Sequence, residues 1–367
     1  MVSCICLTLS SVIPVGTEGS LEMPHVIQAV MTTAYALSFV VGLLGNGLGL
    51  FIIFKRSSKG NASTNVLIGN MALADLLVTL FAMPHSVGFL YYQNKWIGGI
   101  IGEIGCKLAQ FPFVVSIAAS ILTLLAISVE RFWAIYYPLR ARKLRKPKVL
   151  SSVIWLLAIS VFCPYLFSYT VKRTASGQYY CVVEWGDIEE TYRTQRLYYL
   201  MIFVFLYALP LLVITLLYTL IGVKLWYRKQ PGQENARSRR TAIVAKRRIL
   251  RLLIVLVLVF TVCWLPAHLM HYYMYYDLKA WFNIPVAVKL LSFWICHSNS
   301  AINPGIYILL SENFRREFLK TTLGLVCSKA PSLPRTSSSK SRKTGRKATL
   351  SSRLFGSRRG GRTVTFV

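Results

Sequence analysis

The sequence predicts an all-α membrane protein: a bundle of seven transmembrane helices followed by a short amphipathic helix on the cytoplasmic surface. Three observations lead there. Mean hydropathy is +0.51, well above that of a soluble domain. Seven apolar runs, centred near Leu43, Leu76, Ile121, Leu157, Leu212, Leu256 and Phe293, each have helix length, and about 20 apolar residues cross a bilayer. Charge is sorted between the connecting segments: eight Lys and Arg fall in outer segments if the N-terminus is outside, which leaves 34 of 42 inside. That asymmetry places the N-terminus outside and the tail in the cytoplasm. No series of short alternating segments suggests a β-barrel.

The chain divides into an N-terminal tail (1–27), the bundle (28–310), a surface helix (311–322) and a basic, Ser/Thr-rich disordered tail (323–367). Net charge is +29, but its confinement to one face points to membrane topology and not to nucleic acid. Met1 to Val15 is apolar yet has no basic start, so no signal peptide is expected. The sequon Asn61-Ala62-Ser63 falls on the predicted inner side and should be unused.

The first span, about Gln28 to Phe54, carries Gly45-Asn46-Gly47, small residues that let a neighbour approach around one buried amide. The second, about Ala62 to Tyr91, holds Asn70 and Asp75, a carboxylate near mid-membrane, and Pro84 should kink its outer end. In the third, Leu108 to Val129 contains no charge, and the run closes abruptly on Glu130-Arg131-Phe132. A Glu-Arg pair there is costly unless each partner neutralises the other, though a plain membrane boundary would also end in charge. The fourth span holds Trp155 and Pro164; the fifth, Pro210 and Tyr218. The sixth starts in Lys246-Arg247-Arg248 and contains Phe260 and Cys263-Trp264-Leu265-Pro266. The seventh contains Asn299-Ser300 and Asn303-Pro304-Gly305-Ile306-Tyr307. Ser311 to Leu319 is amphipathic, too short and charged to span, and Cys327 beyond it is a candidate for palmitoylation.

Between the fourth and fifth spans the longest outer loop runs from about Thr170 to Gln195, with β-prone residues around Cys181. Of eight cysteines, Cys106 and Cys181 fall on the outer, oxidising side and are expected to form a disulfide, while Cys163, Cys263 and Cys296 lie within apolar helices.

Taken together and in order, these residues resemble a rhodopsin-like G-protein-coupled receptor over about Ala34 to Leu319. The motif positions are Asn46, Asp75, Glu130-Arg131-Phe132, Trp155, Cys263 to Pro266 and Asn303 to Tyr307. The resemblance implies activation switches at Ile121, Glu130, Arg131, Pro210, Tyr218, Phe260, Trp264, Pro266, Asn303, Pro304 and Tyr307. It also implies an allosteric sodium pocket of Asp75, Ser120, Asn299, Ser300 and Asn303, with no other cofactor. One carboxylate among hydroxyl and amide oxygens suits a small cation, although the same cluster also serves to hold helices together. Heterotrimeric G proteins are the implied partners, with arrestin and receptor kinases on the tail. The last residues, Thr365-Phe366-Val367, fit a PDZ ligand.

Three positions depart from the family pattern. Phe132 replaces the usual tyrosine, Lys246 stands where many relatives carry an acid, and Trp96 lies ten residues before Cys106, farther than usual. A bridge from Arg131 to the sixth helix is therefore not expected, and the first outer loop should be remodelled.

The outer pocket is expected to draw on His85, Gln110, Phe113, His268, His271, Phe293 and His297, with Tyr272 and Tyr273 near the rim. Phe113 occupies the position where amine receptors carry aspartate, which argues against monoamines. Glu184, Asp187, Glu189 and Glu190 follow Cys181. They form either a solvated loop face or an attractive rim for a cationic peptide, with Glu184 and Asp187 as candidate contacts. The ends of the third and seventh spans look like the neuropeptide branch (galanin-, somatostatin- and RFamide-type), which implies a basic or amidated peptide ligand. A small polar or lipid ligand is the alternative. A transporter would show internal repeats and broken helices, which the chain lacks. No nucleophile–base pair or metal-ligand spacing suggests an enzyme. The implied location is the plasma membrane.

Overall fold

The computed structural model describes residues 23–57, 63–144, 146–226, 236–310 and 312–327. The sequon asparagine, the two chain ends and the side chains of Lys246 and Cys327 lie outside what is described. Seven long helices follow one another: α1 (His25–Ser57), α2 (Ser63–Leu77, continued through Val78–Ala82 and Met83–Tyr92), α3 (Gly99–Tyr136), α4 (Pro147–Phe162), α5 (Ile188–Phe203, continued through Val204–Ala208 and Leu209–Trp226), α6 (Ala236–Tyr276) and α7 (Val286–Leu310). An eighth, α8 (Glu312–Cys327), runs past the predicted boundary at 322. Residues up to Gly324 form one compact unit; of the second, Leu325–Val367, only the end of α8 is described.

By length and composition α1 to α6 can each cross a membrane. The seventh helix falls short of their apolar content because its inner stripe is polar: Ser292, His297, Ser298, Asn299, Ser300 and Asn303 are all buried. It reads as a weak span in sequence and is the most polar wall of the core in space.

α3 forms the axis of the bundle. From Phe113 to Ser128 it is buried on nearly every face, as expected of a helix apolar all round. Asn70 then joins three helices, donating to Thr123 Oγ1 on α3 (2.7 Å) and accepting from Trp155 Nε1 (2.7 Å) and Ser151 Oγ on α4. Asn70→Leu should orphan these partners at about 1–3 kcal/mol for each buried group left unsatisfied. A thermal midpoint equal to wild type in detergent would refute that role.

Two of the proline-bearing helices, α2 and α5, widen just before the proline. The π turns Val78–Ala82 and Val204–Ala208 precede Pro84 and Pro210. Each proline lacks the N–H that its i−4 carbonyl needs, and a wider turn spreads that defect. At Gly45 close packing is decisive: a Cβ there would sit 2.8 Å from the Pro304 ring on α7.

The outer loops add a small sheet to the helical bundle, around Cys181 where β-prone residues stand. β1 (Lys95–Trp96), β2 (Tyr169–Arg173) and β3 (Tyr179–Val183) form an antiparallel sheet in the order β1-β3-β2. Trp96 pairs with Tyr179, and its indole donates to Gly102 O at 2.8 Å, which accounts for its unusual spacing from Cys106. Cys106 and Cys181 are bonded, with Cα atoms 5.7 Å apart across 75 residues of chain. Beside the disulfide, Glu103 on α3 accepts from Val171 N–H (2.8 Å) on the free edge of β2. The hairpin is thus fixed to α3 twice.

Candidate functional site

At the inner end of α3, Arg131 Nη2 lies 3.7 Å from Glu130 Oε2, with side chains only 17% and 10% exposed. The two neutralise each other within a partly buried setting, as the sequence required. Tyr218 on α5 accepts from Ser128 Oγ at 2.7 Å, one turn above. Tyr307 on α7 packs its ring against Phe314 of α8 (5.7 Å) and donates to Met71 Sδ. Arg248 of α6 donates to the Leu310 carbonyl at the end of α7, and Arg247 to that of Leu225 in the last turn of α5. Cationic side chains on the last carbonyls of a helix are favoured both by the hydrogen bond and by the helix dipole.

Midway through the bundle, Asn303 Nδ2 donates to Asp75 Oδ2 at 2.9 Å, and Ser300 also bonds the carboxylate. Ser120 Oγ, Asn299 Oδ1 and Asn303 Oδ1 are buried with no hydrogen-bond partner among the described residues. A carboxylate and three orphaned oxygens are the donor set a small cation takes. Asn46 bridges to the same region, donating to Ser300 O (2.9 Å) and Gly42 O (3.0 Å). Among the described residues no group of three His, Cys, Asp or Glu is placed to hold a metal. Any ion at Asp75 would therefore rest on neutral oxygens for its remaining contacts.

Above it, Phe260 stacks with Trp264 (5.6 Å), and Ile121 and Pro210 are buried in the same core. Pro266 interrupts α6 two residues after Trp264, and Pro304 lies buried within α7. His268 packs on Tyr207 (4.3 Å) and Phe203 (5.3 Å), and Tyr199 donates to its carbonyl.

The predicted vestibule residues fall into three groups. His85 and Gln110 meet at 2.8 Å between α2 and α3. Phe113 sets its ring edge-on to His297 at 5.2 Å, and His297 Nδ1 meets the Tyr35 hydroxyl at 3.2 Å. His271 lies between Tyr199 (stacked, 5.3 Å) and Phe293 (edge-on, 5.3 Å). His268 belongs with the deeper Trp264 group. Tyr35 was missed in the sequence, where a tyrosine on the first span carries no signal of its partner.

The acidic stretch is more structural than expected. Glu184 pairs with Lys172 across the hairpin at 2.8 Å. Asp187 caps α5, accepting from Glu190 N–H at 2.8 Å, so α5 begins at Ile188, before the predicted loop end at Gln195. Glu189 and Glu190 stand in its first turn, where the helix dipole favours negative charge.

A seven-helix bundle with a polar core at Asp75, a cluster of aromatic and histidine side chains on one side and an Arg-centred inner end is the architecture of a signalling membrane receptor. Residues 45–307 match the family described as 7 transmembrane receptor (rhodopsin family), and the chain belongs to it. It is similar to galanin receptor 2a of Danio rerio, 31% identical over 294 residues, which covers 79% of this chain and 77% of the relative. Galanin receptor type 2 of Mus musculus is 32% identical over 295 residues (80% and 76% covered). The QRFP-like peptide receptor of Branchiostoma floridae is 29% identical over 312 residues (81% and 78%). The protein is a receptor and not an enzyme.

Proposed function

We propose that this chain is a plasma-membrane receptor, N-terminus outside, that binds a basic or amidated extracellular peptide and activates heterotrimeric G proteins. The observation that carries the reading is the cluster of buried aromatic and histidine side chains, Phe113, His268, His271, Phe293 and His297, beside a disulfide-anchored hairpin. The names of its galanin-, QRFP-like- and tachykinin-type relatives support the peptide, and the basic inner segments support the orientation. A peptide-library screen with calcium and cyclic-AMP readouts tests both halves. No response to any peptide alongside a response to lipid or small polar agonists would overturn it.

The acidic rim supplies a sharper test. Neutralising Glu184, Asp187, Glu189 and Glu190 together, as Gln or Asn, should weaken binding of a basic agonist and flatten its salt dependence. Asp187→Asn keeps a capping side chain, so α5 should persist. Glu189→Gln with Glu190→Gln leaves the Lys172–Glu184 pair intact and should carry most of the effect. Affinity unchanged across the salt range would discard the electrostatic attraction.

An allosteric sodium ion on Asp75, Ser120, Asn299, Ser300 and Asn303 belongs to the same proposal, supported by the orphaned oxygens there. The basic Ser/Thr-rich tail supports arrestin and receptor kinases as partners, and Thr365-Phe366-Val367 supports a PDZ domain. Deleting Val367 should abolish capture of PDZ proteins by the tail; undiminished capture would exclude that partner.

A further inference from the structure

The outer end of α3 has one side that is engaged and one that is bare among the described residues. On the engaged side Cys106 is bonded to Cys181, Glu103 accepts from Val171 N–H, and the Trp96 indole donates to Gly102 O. The other side repeats at helical spacing as Ile100, Ile101, Ile104 and Leu108, exposed by 80%, 77%, 53% and 50%. Ile97, 61% exposed, continues the stripe into the loop before the helix. A contiguous apolar stripe of this kind marks an interaction surface.

Lipid accounts only for its lower part. Lys107 and Glu130 bracket the uncharged stretch of α3, residues 108–129. At about 1.5 Å per residue this stretch is about 33 Å long and fills a hydrocarbon core about 30 Å thick. Ile97, Ile100 and Ile101 therefore stand above the core, by about 10 Å at Ile101.

The chain supplies an occupant. Met1 to Val15 holds no charged side chain, and Ile5, Leu7 and Leu9 alternate with Cys6, Thr8 and Ser10, the pattern of a strand with one apolar face. The described chain begins at Met23, and α1 is held to the outer end of α2 by Gln28 Nε2 on Leu90 O at 3.0 Å. α2 meets α3 in turn through His85 and Gln110. Two helix spacings, about 20 Å, thus separate the root of the segment from the stripe. The residues from Leu9 to Met23 reach about 45 Å when extended. A tethered segment is present at about millimolar effective concentration, which favours it over a second copy of the chain.

We propose that the apolar N-terminal segment docks on the outer end of α3, laying Ile5, Leu7 and Leu9 against Ile97, Ile100, Ile101 and Ile104. The tail is then fastened over the first outer loop. The proposal rests on the outward N-terminus of the function proposed above.

The test uses the full-length chain on intact cells. Ile101→Cys is labelled with a charged, membrane-impermeant thiol reagent, and the extent at each cysteine is read by peptide mass spectrometry. A companion chain adds Ile5→Asp, Leu7→Asp and Leu9→Asp, which spoil the apolar face of the tail and leave the bundle untouched. Labelling at position 101 should be about tenfold slower without the aspartates, as when the docked form outnumbers the open one about ten to one. Under mild oxidation, position 101 should also join Cys4 or Cys6 of the same chain. Phe282→Cys, 51% exposed in the last outer loop, should not. Fast labelling in both chains would leave the stripe bare. Slow labelling of position 101 in both, with Cys4 and Cys6 labelled, would give it to lipid or another protein. A disulfide formed only between two chains would give it to a second copy. Each of these overturns the proposal while the receptor reading stands. No labelling at Cys4, Cys6 or position 101 in the companion chain would place the N-terminus inside and overturn the orientation together with the docking.

Discussion

Arg131→Ala is expected to lower agonist-stimulated nucleotide exchange on the G protein by about tenfold or more, with surface expression and agonist affinity near wild type. The expectation follows from placement. Arg131 lies at the inner end of α3, far from the vestibule, in a partly buried pair with Glu130 at 3.7 Å. Helix packing around it is carried by apolar neighbours and by the Ser128–Tyr218 bond, neither of which uses the guanidinium. Removing the side chain thus takes away the charge proposed to meet the G protein while leaving the bundle intact. The change removes one positive charge that faces the partly buried Glu130, so some loss of stability should accompany it. Glu130→Gln/Arg131→Ala separates the two effects: stability should recover and coupling should not. Coupling at wild-type level in either variant, at matched expression, would remove Arg131 from the signalling machinery.

Asp75→Asn should eliminate the sodium dependence of the receptor. In wild type, exchanging choline for sodium at fixed ionic strength should raise the thermal midpoint of the purified chain and lower agonist affinity. The two effects are linked, because a cation that favours the resting packing must be disfavoured by agonist to the same extent. At a sodium concentration about ten times its dissociation constant the stabilisation is about 1.4 kcal/mol. The amide that replaces the carboxylate would still accept from Asn303, so the variant should fold, and only the charge that holds the ion is lost. Ser120→Ala and Asn299→Ala should weaken the sodium effect without removing it. A sodium shift of full size in Asp75→Asn would move the ion elsewhere.

Which features were legible in the sequence follows from how each one is encoded. Seven spans, the sorted charge, the Cys106–Cys181 bridge and the pairing of Asp75 with Asn303 all derive from composition or from ordered motifs. The start of α5 was hidden because Ile188 to Arg196 has no apolar run, yet Asp187 and Glu190 stand at the spacing of a helix cap and were available as a signal. The two π turns leave no mark in hydropathy, which is insensitive to a single extra residue in a helical turn. Asn70 could be noted as polar, but nothing in one dimension says that its partners are Thr123, Ser151 and Trp155. Tyr35 was beyond reach for the same reason: its contact with His297 joins segments far apart in the chain.

The polar inner stripe of α7 also bears on how the receptor is made. A chain is synthesised from its N-terminus, so α7 is the last span to reach the bilayer. With His297, Asn299, Ser300 and Asn303 along one side, it enters lipid less readily than any span before it. Three of its polar residues find complements on helices already in place, Asn303 with Asp75 on α2, Ser300 with Asn46 on α1 and His297 with Tyr35 on α1. Membrane entry and tertiary assembly are therefore a single event for this segment. A substitution on α1 or α2 that spoils those complements acts during biosynthesis, before any ligand is met, by stranding the final helix outside the bundle.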